Sequence, residues 1–274
     1  MRIFDSHVHF VDPSRPEGVL WPESDKAYFG RRLPDDLLES TQTSSLTGCI
    51  AVETSRRSID DDWLLQLANK HALIEGIVLN LQPDSHGFAV RLEQARRSKK
   101  FVGVRFRPIG EYALDAPVLQ ESLELLQRDR STIEFGAESS ELKRSFARLA
   151  SRFPETNWIL DHCGHPKAAD SPAPEWCDGV NEIAELPNAF CKVSSDYSTT
   201  AIWGSVLSYL LKAFGPARLM YGSNWPAVSQ SVGLDAPASQ LSAFFGDHSD
   251  DILEGNARRA YGVTDTANGN PTDE

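Results

Sequence analysis

Eight short apolar runs recur along the chain, and their spacing constrains the fold more than any other feature. They cover residues 2–9, 48–54, 74–81, 101–108, 131–138, 158–164, 189–195 and 218–226. After a first step of 46 residues, successive starts lie 26, 27, 30, 27, 31 and 29 apart. A step of that size holds one strand, one helix and two loops. Helical patterns occupy the gaps. Residues 59–71 carry Trp63, Leu64 and Leu67 on one face, behind a capping-box pattern of Ser58 and Asp61. Residues 116–128 repeat Leu119, Leu123 and Leu126, and 141–153 repeat Leu142, Phe146 and Leu149 behind Ser140. Residues 200–214 carry Val206, Leu207, Leu210 and Leu211, and 250–261 form a last helix.

Strictly alternating strands and helices predict a parallel sheet with right-handed crossovers. Eight such units predict closure into a single-domain α/β protein, a (β/α)8 TIM barrel over residues 1–263. An open doubly wound sheet is the alternative, but no Gly-rich phosphate loop follows the first strand. The chain's 274 residues suffice for a full barrel core. The long first connection, residues 10–47, is rich in Pro, Asp, Arg and Trp and is expected over the barrel mouth. The small, polar tail, 264–274, is expected to be disordered.

A formal net charge of -12 argues against nucleic acid or an anionic membrane as partner but says nothing firm about a small-molecule substrate. No run approaches a membrane span and no signal peptide is evident, so a cytoplasmic location is expected. Cys49, Cys163, Cys177 and Cys191 form no C-x-x-C pair and read as free thiols, mostly buried. Oligomeric state is open.

A barrel enzyme places its chemistry at the C-terminal ends of the strands. The first run ends in Asp5-Ser6-His7-Val8-His9. Two histidines one residue apart project to the same side of a strand and can share one metal ion or one substrate oxygen. The sixth run ends in Asp161-His162-Cys163-Gly164-His165-Pro166 and the eighth in Gly222-Ser223-Asn224-Trp225-Pro226. Arg105 and Arg107 end the fourth run, Glu134 sits in the fifth, and Lys192 and Asp196 belong to the seventh.

These strings, with Cys191-Lys192-Val193-Ser194 and the closing Gly255-Asn256-Ala257-Arg258-Arg259, resemble the amidohydrolase-related family. Sugar lactonases and 2-pyrone-4,6-dicarboxylate lactonases belong to that family. The resemblance spans nearly the whole chain and implies the barrel fold and a hydrolase acting on a lactone or related carboxylic ester. A decarboxylase-type lyase is the alternative from the same superfamily. A catalytically impaired ligand-binding barrel is the other, because Asn224 stands where those lactonases carry an aspartate. That aspartate serves as general base, and an amide cannot. The resemblance implies His7, His9, His162, Asn224, Arg105 and Glu134 as catalytic residues, with Glu134 or Asp196 replacing the missing base. It leaves two pictures open. In one, His7, His9 and His162, with Glu134 in support, hold one divalent ion such as zinc. In the other, the histidines and an arginine hold a carbonyl or carboxylate without metal.

Overall fold

The structure is a computed structural model and describes residues 1–107, 116–166, 172–194, 203–227 and 233–264. Eight strands lie side by side in sequence order: β1 (Arg2–Val8), β2 (Ser45–Val52), β3 (Ile74–Leu79), β4 (Phe101–Arg105), β5 (Thr132–Phe135), β6 (Trp158–Leu160), β7 (Ala189–Ser194) and β8 (Leu219–Gly222). Every neighbouring pair is parallel. The last strand returns to the first through main-chain bonds at the mouth: Asn224 N–H donates to His7 O at 2.9 Å, and His9 N–H donates to Trp225 O at 2.8 Å. The chain is therefore the single-domain (β/α)8 barrel that the spacing predicts.

Nine helices accompany the strands among the described residues: α1 (Pro34–Glu39), α2 (Ser58–Lys70), α3 (Phe88–Ala95), α4 (Pro117–Arg128), α5 (Ser140–Ala150), α6 (Pro174–Ala184), α7 (Trp203–Phe214), α8 (Asp235–Phe245) and α9 (Asn256–Tyr261). The apolar stripes read from the sequence are the buried faces, as with Leu119, Leu123 and Leu126 of α4. Two caps differ from expectation. Ser139, not Ser140, caps α5 by accepting the Leu142 N–H at 3.1 Å. Ser58 forms no cap on α2, because it is the first helical residue and Arg57 holds the cap position, while Asp61 accepts the Asn80 N–H at 3.0 Å. Helices α1, α3, α6 and α8 have no counterpart among the helical patterns read from the sequence. Gly179 sits within α6 for a packing reason: a Cβ there would lie 2.7 Å from Cδ of Lys143.

The strands are shorter than the apolar runs at their C-terminal ends. The sixth run leaves the sheet after Leu160, where His162 takes φ 50. The residues cut off in this way build the site.

Inside the barrel, Phe4, Ile50, Val52, Val78, Ile159 and Met220 pack into one apolar layer with Ala257, Ala260 and Tyr261 of α9. Asn256 of α9 donates to Leu219 O at 2.7 Å, and Ala260 O accepts from Asn157 at 2.8 Å. Both partners lie at strand starts, so α9 plugs the N-terminal end of the barrel. Strand alternation carries the inward positions toward the mouth, from Ile159 to Asp161 and from Met220 to Gly222. The tail residues 265–274 lie outside the described residues.

Candidate active site

Two histidines on β1 open the site. The β1–β2 pairing is irregular between Asp5 and Val8. An irregularity there lets Phe4 and His7, three apart, share the interior that strict alternation would deny one of them. Asp5 fixes the bend: its Oδ1 accepts the N–H of His7 at 3.1 Å and of Ser223 at 2.9 Å. Burial lifts its pKa to about 6 against those bonds. Gly222 must lack a side chain, since a Cβ would come within 2.9 Å of the His7 Cβ.

The hydrogen bonds assign the tautomers. A carbonyl only accepts, so His9 Nδ1–H donates to Val52 O at 3.0 Å. Burial, with Arg105 adding to it, lowers the His9 pKa to about 3 and keeps the ring neutral. Its Nε2 is then an acceptor, and His7 Nε2–H donates to it at 3.1 Å. Burial and Lys192 hold His7 well below the usual histidine range. The remaining His7 nitrogen, Nδ1, accepts from Lys192 Nζ at 2.9 Å.

Around this chain lies a buried charged layer. Lys192 Nζ is 2.7 Å from Glu134 and 3.5 Å from Asp161. Glu134 also accepts the hydroxyl of Tyr261. Arg105 meets Asp161 at 2.9 Å and Glu53 at 3.7 Å, and Arg107 meets Glu53 at 2.6 Å. Lys192, Arg105 and Arg107 thus balance Glu134, Asp161 and Glu53. Burial opposes ionisation of Asp161, but Arg105 and Lys192 outweigh it and hold the carboxyl well below its usual range. At Glu134 burial dominates and lifts the pKa, with Lys192 opposing.

Above this layer opens a cleft of about 850 Å³, lined by His9, Arg105, Arg107, His162, His165 and Asn224, with Trp21 and Tyr28 on one wall. The aromatic wall comes from the first connection, as its position over the mouth requires. Arg57 pins that connection by donating to Glu17 O at 2.8 Å and Gly18 O at 2.9 Å. His162, Cys163 and His165 all hold positive φ, of 50, 56 and 53. Such backbone is costly for side-chain-bearing residues and clusters at functional sites. The Trp176 indole helps to hold the turn by donating to Cys163 O at 3.0 Å. Asn224 is left-handed too, with φ 58, a conformation that asparagine tolerates well. Burial keeps His162 well below the usual histidine range, partly offset by Asp161, so the ring is neutral. Among the described residues its buried Nδ1 has no hydrogen-bond partner, and neither does Arg105 Nε.

His7, His9, His162, Arg105 and Asn224 therefore converge at one end of the barrel. The rings of His7 and His162 are 4.5 Å apart. Glu134 lies apart from them, fully buried between Lys192 and Tyr261 and not among the residues that line the cleft. Asp196, the other substitute base, lies outside the described residues. The sequence reading assigned no role to Asp161, Lys192, Glu53, His165 or Tyr261. A charge closing an apolar run is the signal for Asp161 and Glu53. Tyr261 gives none.

The layout is that of a barrel enzyme, with a polar cleft at the C-terminal strand ends and neutral imidazoles beside paired cations and carboxylates. The chain belongs to the amidohydrolase family, whose model matches residues 4–263. It is 23% identical over 253 residues to an L-fucono-1,5-lactonase of Burkholderia ambifaria, covering 89% of this chain and 83% of that protein. Identity to an L-fucono-1,5-lactonase of Burkholderia multivorans is 26% over 276 residues, covering 86% of each. The fold superposes on a zinc-bound amidohydrolase of Burkholderia multivorans with a TM-score of 0.81 and 23% identity, covering 96% of this chain and 100% of that one.

One group of side chains among the described residues has the spacing of metal ligands. His7, Asp161 and His162 each offer a donor atom, all within 4.8 Å of one another. The donors could meet at one ion, but Lys192 stands among them, hydrogen-bonded to one of the three and 3.5 Å from another. The donor set does not fit a divalent ion while that ammonium is in place.

Proposed function

We propose that the protein hydrolyses a lactone or related carboxylic ester, with His162 as general base. The observation that carries this reading is a neutral imidazole, next to the Asp161 carboxylate, facing a cleft shared with Arg105 and Asn224. The Asn224 amide orients a water molecule. The water oxygen attacks the lactone carbonyl carbon as the His162 imidazole takes the proton. Arg105, which lines the cleft, stabilises the developing oxyanion. The tetrahedral intermediate collapses, the ring C–O bond breaks, and imidazolium returns the proton to the leaving alkoxide. Asp161 stabilises the imidazolium in between. The new carboxylic acid then gives up its proton to solvent, and the carboxylate is left beside Arg105 and Arg107. Trp21 offers an aromatic face to a ring-shaped substrate.

His7 and His9 give no hydrogen to the substrate in this scheme, because their N–H groups are spent on each other's chain. His9 lines the cleft, and His7 holds it from beneath through the Nε2–Nε2 hydrogen bond. A single ion such as zinc could use His7 and His162 only with the Lys192 ammonium gone, and no step above uses one. Four free thiols, three of them buried, suit a reducing cytoplasm. No helix among the described residues is long and apolar enough to cross a membrane.

The test is a panel of sugar-acid and dicarboxylate lactones, followed chromatographically as loss of lactone, with native protein and His162→Ala. Turnover by native protein and a fall of about 10²–10⁴-fold in the variant are expected, the usual worth of a general base. No turnover of any lactone sinks the hydrolase reading. Equal rates sink His162 as base.

A further inference from the structure

Lys192 has no part in the reaction above, yet it is a fully enclosed cation. Its side chain is fully buried. Its ammonium has three neighbours: His7 Nδ1 at 2.9 Å, Glu134 Oε1 at 2.7 Å and Asp161 Oδ1 at 3.5 Å. One imidazole and two carboxylates are the donor set of a cation site. A lysine on the barrel wall is supplying the cation. We propose that Lys192 is the resident cation of this site, fixing the tautomers of His7 and His9 and excluding a divalent ion from the donors around it.

The exclusion follows from which nitrogen holds the proton. An ion at His7 Nδ1 would have to displace the ammonium that Nδ1 already accepts from. An ion on the Nε2 pair, 3.1 Å apart, would need both Nε2 lone pairs. Each neutral ring would then carry its proton on Nδ1. For His9 that suits Val52 O. For His7 it turns an N–H toward the ammonium 2.9 Å away, and two donors would face each other. Either way ion and ammonium exclude one another. Charge points the same way, since Lys192 already pairs with Glu134 at 2.7 Å and Arg105 with Asp161 at 2.9 Å, so both carboxylates beside the histidines have a cation. With the ammonium in place, the chain Lys192, His7, His9, Val52 O runs in one direction, each member donating to the next. Lys192 is thus a positioning residue for both histidines.

The inference rests on the contacts of Lys192 and not on the reaction, so it stands or falls separately from lactone hydrolysis. Zinc and cobalt affinities are measured for native protein and Lys192→Met by competition with a chromophoric chelator, with the visible spectrum of bound cobalt reporting coordination. Lys192→Met is expected to bind one ion about 10–100-fold more tightly than native protein, the range in which groups bordering metal ligands act. Equal affinities, both high or both low, overturn the proposal. Should Lys192→Met fail to fold with Glu134 left unpaired, Lys192→Met combined with Glu134→Gln removes that stranded charge and takes its place. A reading without any variant is nitrogen–proton correlation of the native imidazoles. His7 protonated at Nε2 and His9 at Nδ1, unmoved by added zinc, are expected. His7 protonated at Nδ1 overturns the proposal.

Discussion

The barrel interior has two levels that obey different rules. Toward the N-terminal end, Phe4, Ile50, Val52, Val78, Ile159 and Met220 fill space against α9. Toward the mouth, Glu134, Asp161, Lys192 and His7 are as fully buried, but each is held by a specific partner. Volume and shape suffice below. Above, a charge is stable only while its counter-charge stays, because a lone buried ion loses its hydration without return. The two levels meet at one bond, where the Tyr261 hydroxyl rises from the apolar plug to Glu134.

Exchanges that preserve shape should separate the levels most clearly. Asp161→Asn keeps the outline but strands Arg105 and Lys192, and is expected to cost about 3–5 kcal/mol in denaturant unfolding. Met220→Leu, one level down, should cost less than about 1.5 kcal/mol. Similar losses from the two would erase the distinction.

Asn224→Asp sharpens the upper level's chemistry. It restores a carboxylate beside the cleft, and aspartate accepts the left-handed backbone as asparagine does. Lactone hydrolysis is expected to rise by at least about tenfold, within what a general base contributes. A fall on a lactone that native protein turns over would show the amide hydrogen at work on the substrate.

Tyr261→Phe, the smallest change, removes only the bond between the levels. A loss of about 1 kcal/mol in stability is expected, near the net worth of one hydrogen bond. A loss as large as that of Asp161→Asn would mean that the hydroxyl belongs to the charged network itself.

The lower level was legible in the sequence and the upper one only in part. Regular spacing gave the strands, and alternation puts Ile159 and Met220 inside. His7, His9, Arg105, His162 and Asn224 could be found because they end apolar runs. Their partnerships could not. Lys192 reaches His7 across 185 residues and Tyr261 reaches Glu134 across 127, and neither side chain announces its partner. Glu134 looked like a base because an acid in an apolar run invites that reading; only the three-dimensional neighbours show it enclosed. The missed helices have a similar cause. Gly179 of α6 and Pro237 of α8 blur the helical signal, and Gly179 at least is set by a contact with another helix.

The central claim is that a buried imidazole, kept neutral, activates water at the mouth of this barrel. The pH dependence of kcat/KM for lactone loss tests it most directly. Burial lowers the His162 pKa well below 6.5, so the base form persists as pH falls. The rate should stay level from pH 8 down through 6.5 and drop only at clearly more acid pH. A bell or limb with its midpoint at or above 6.5, retained in His162→Ala, would contradict it.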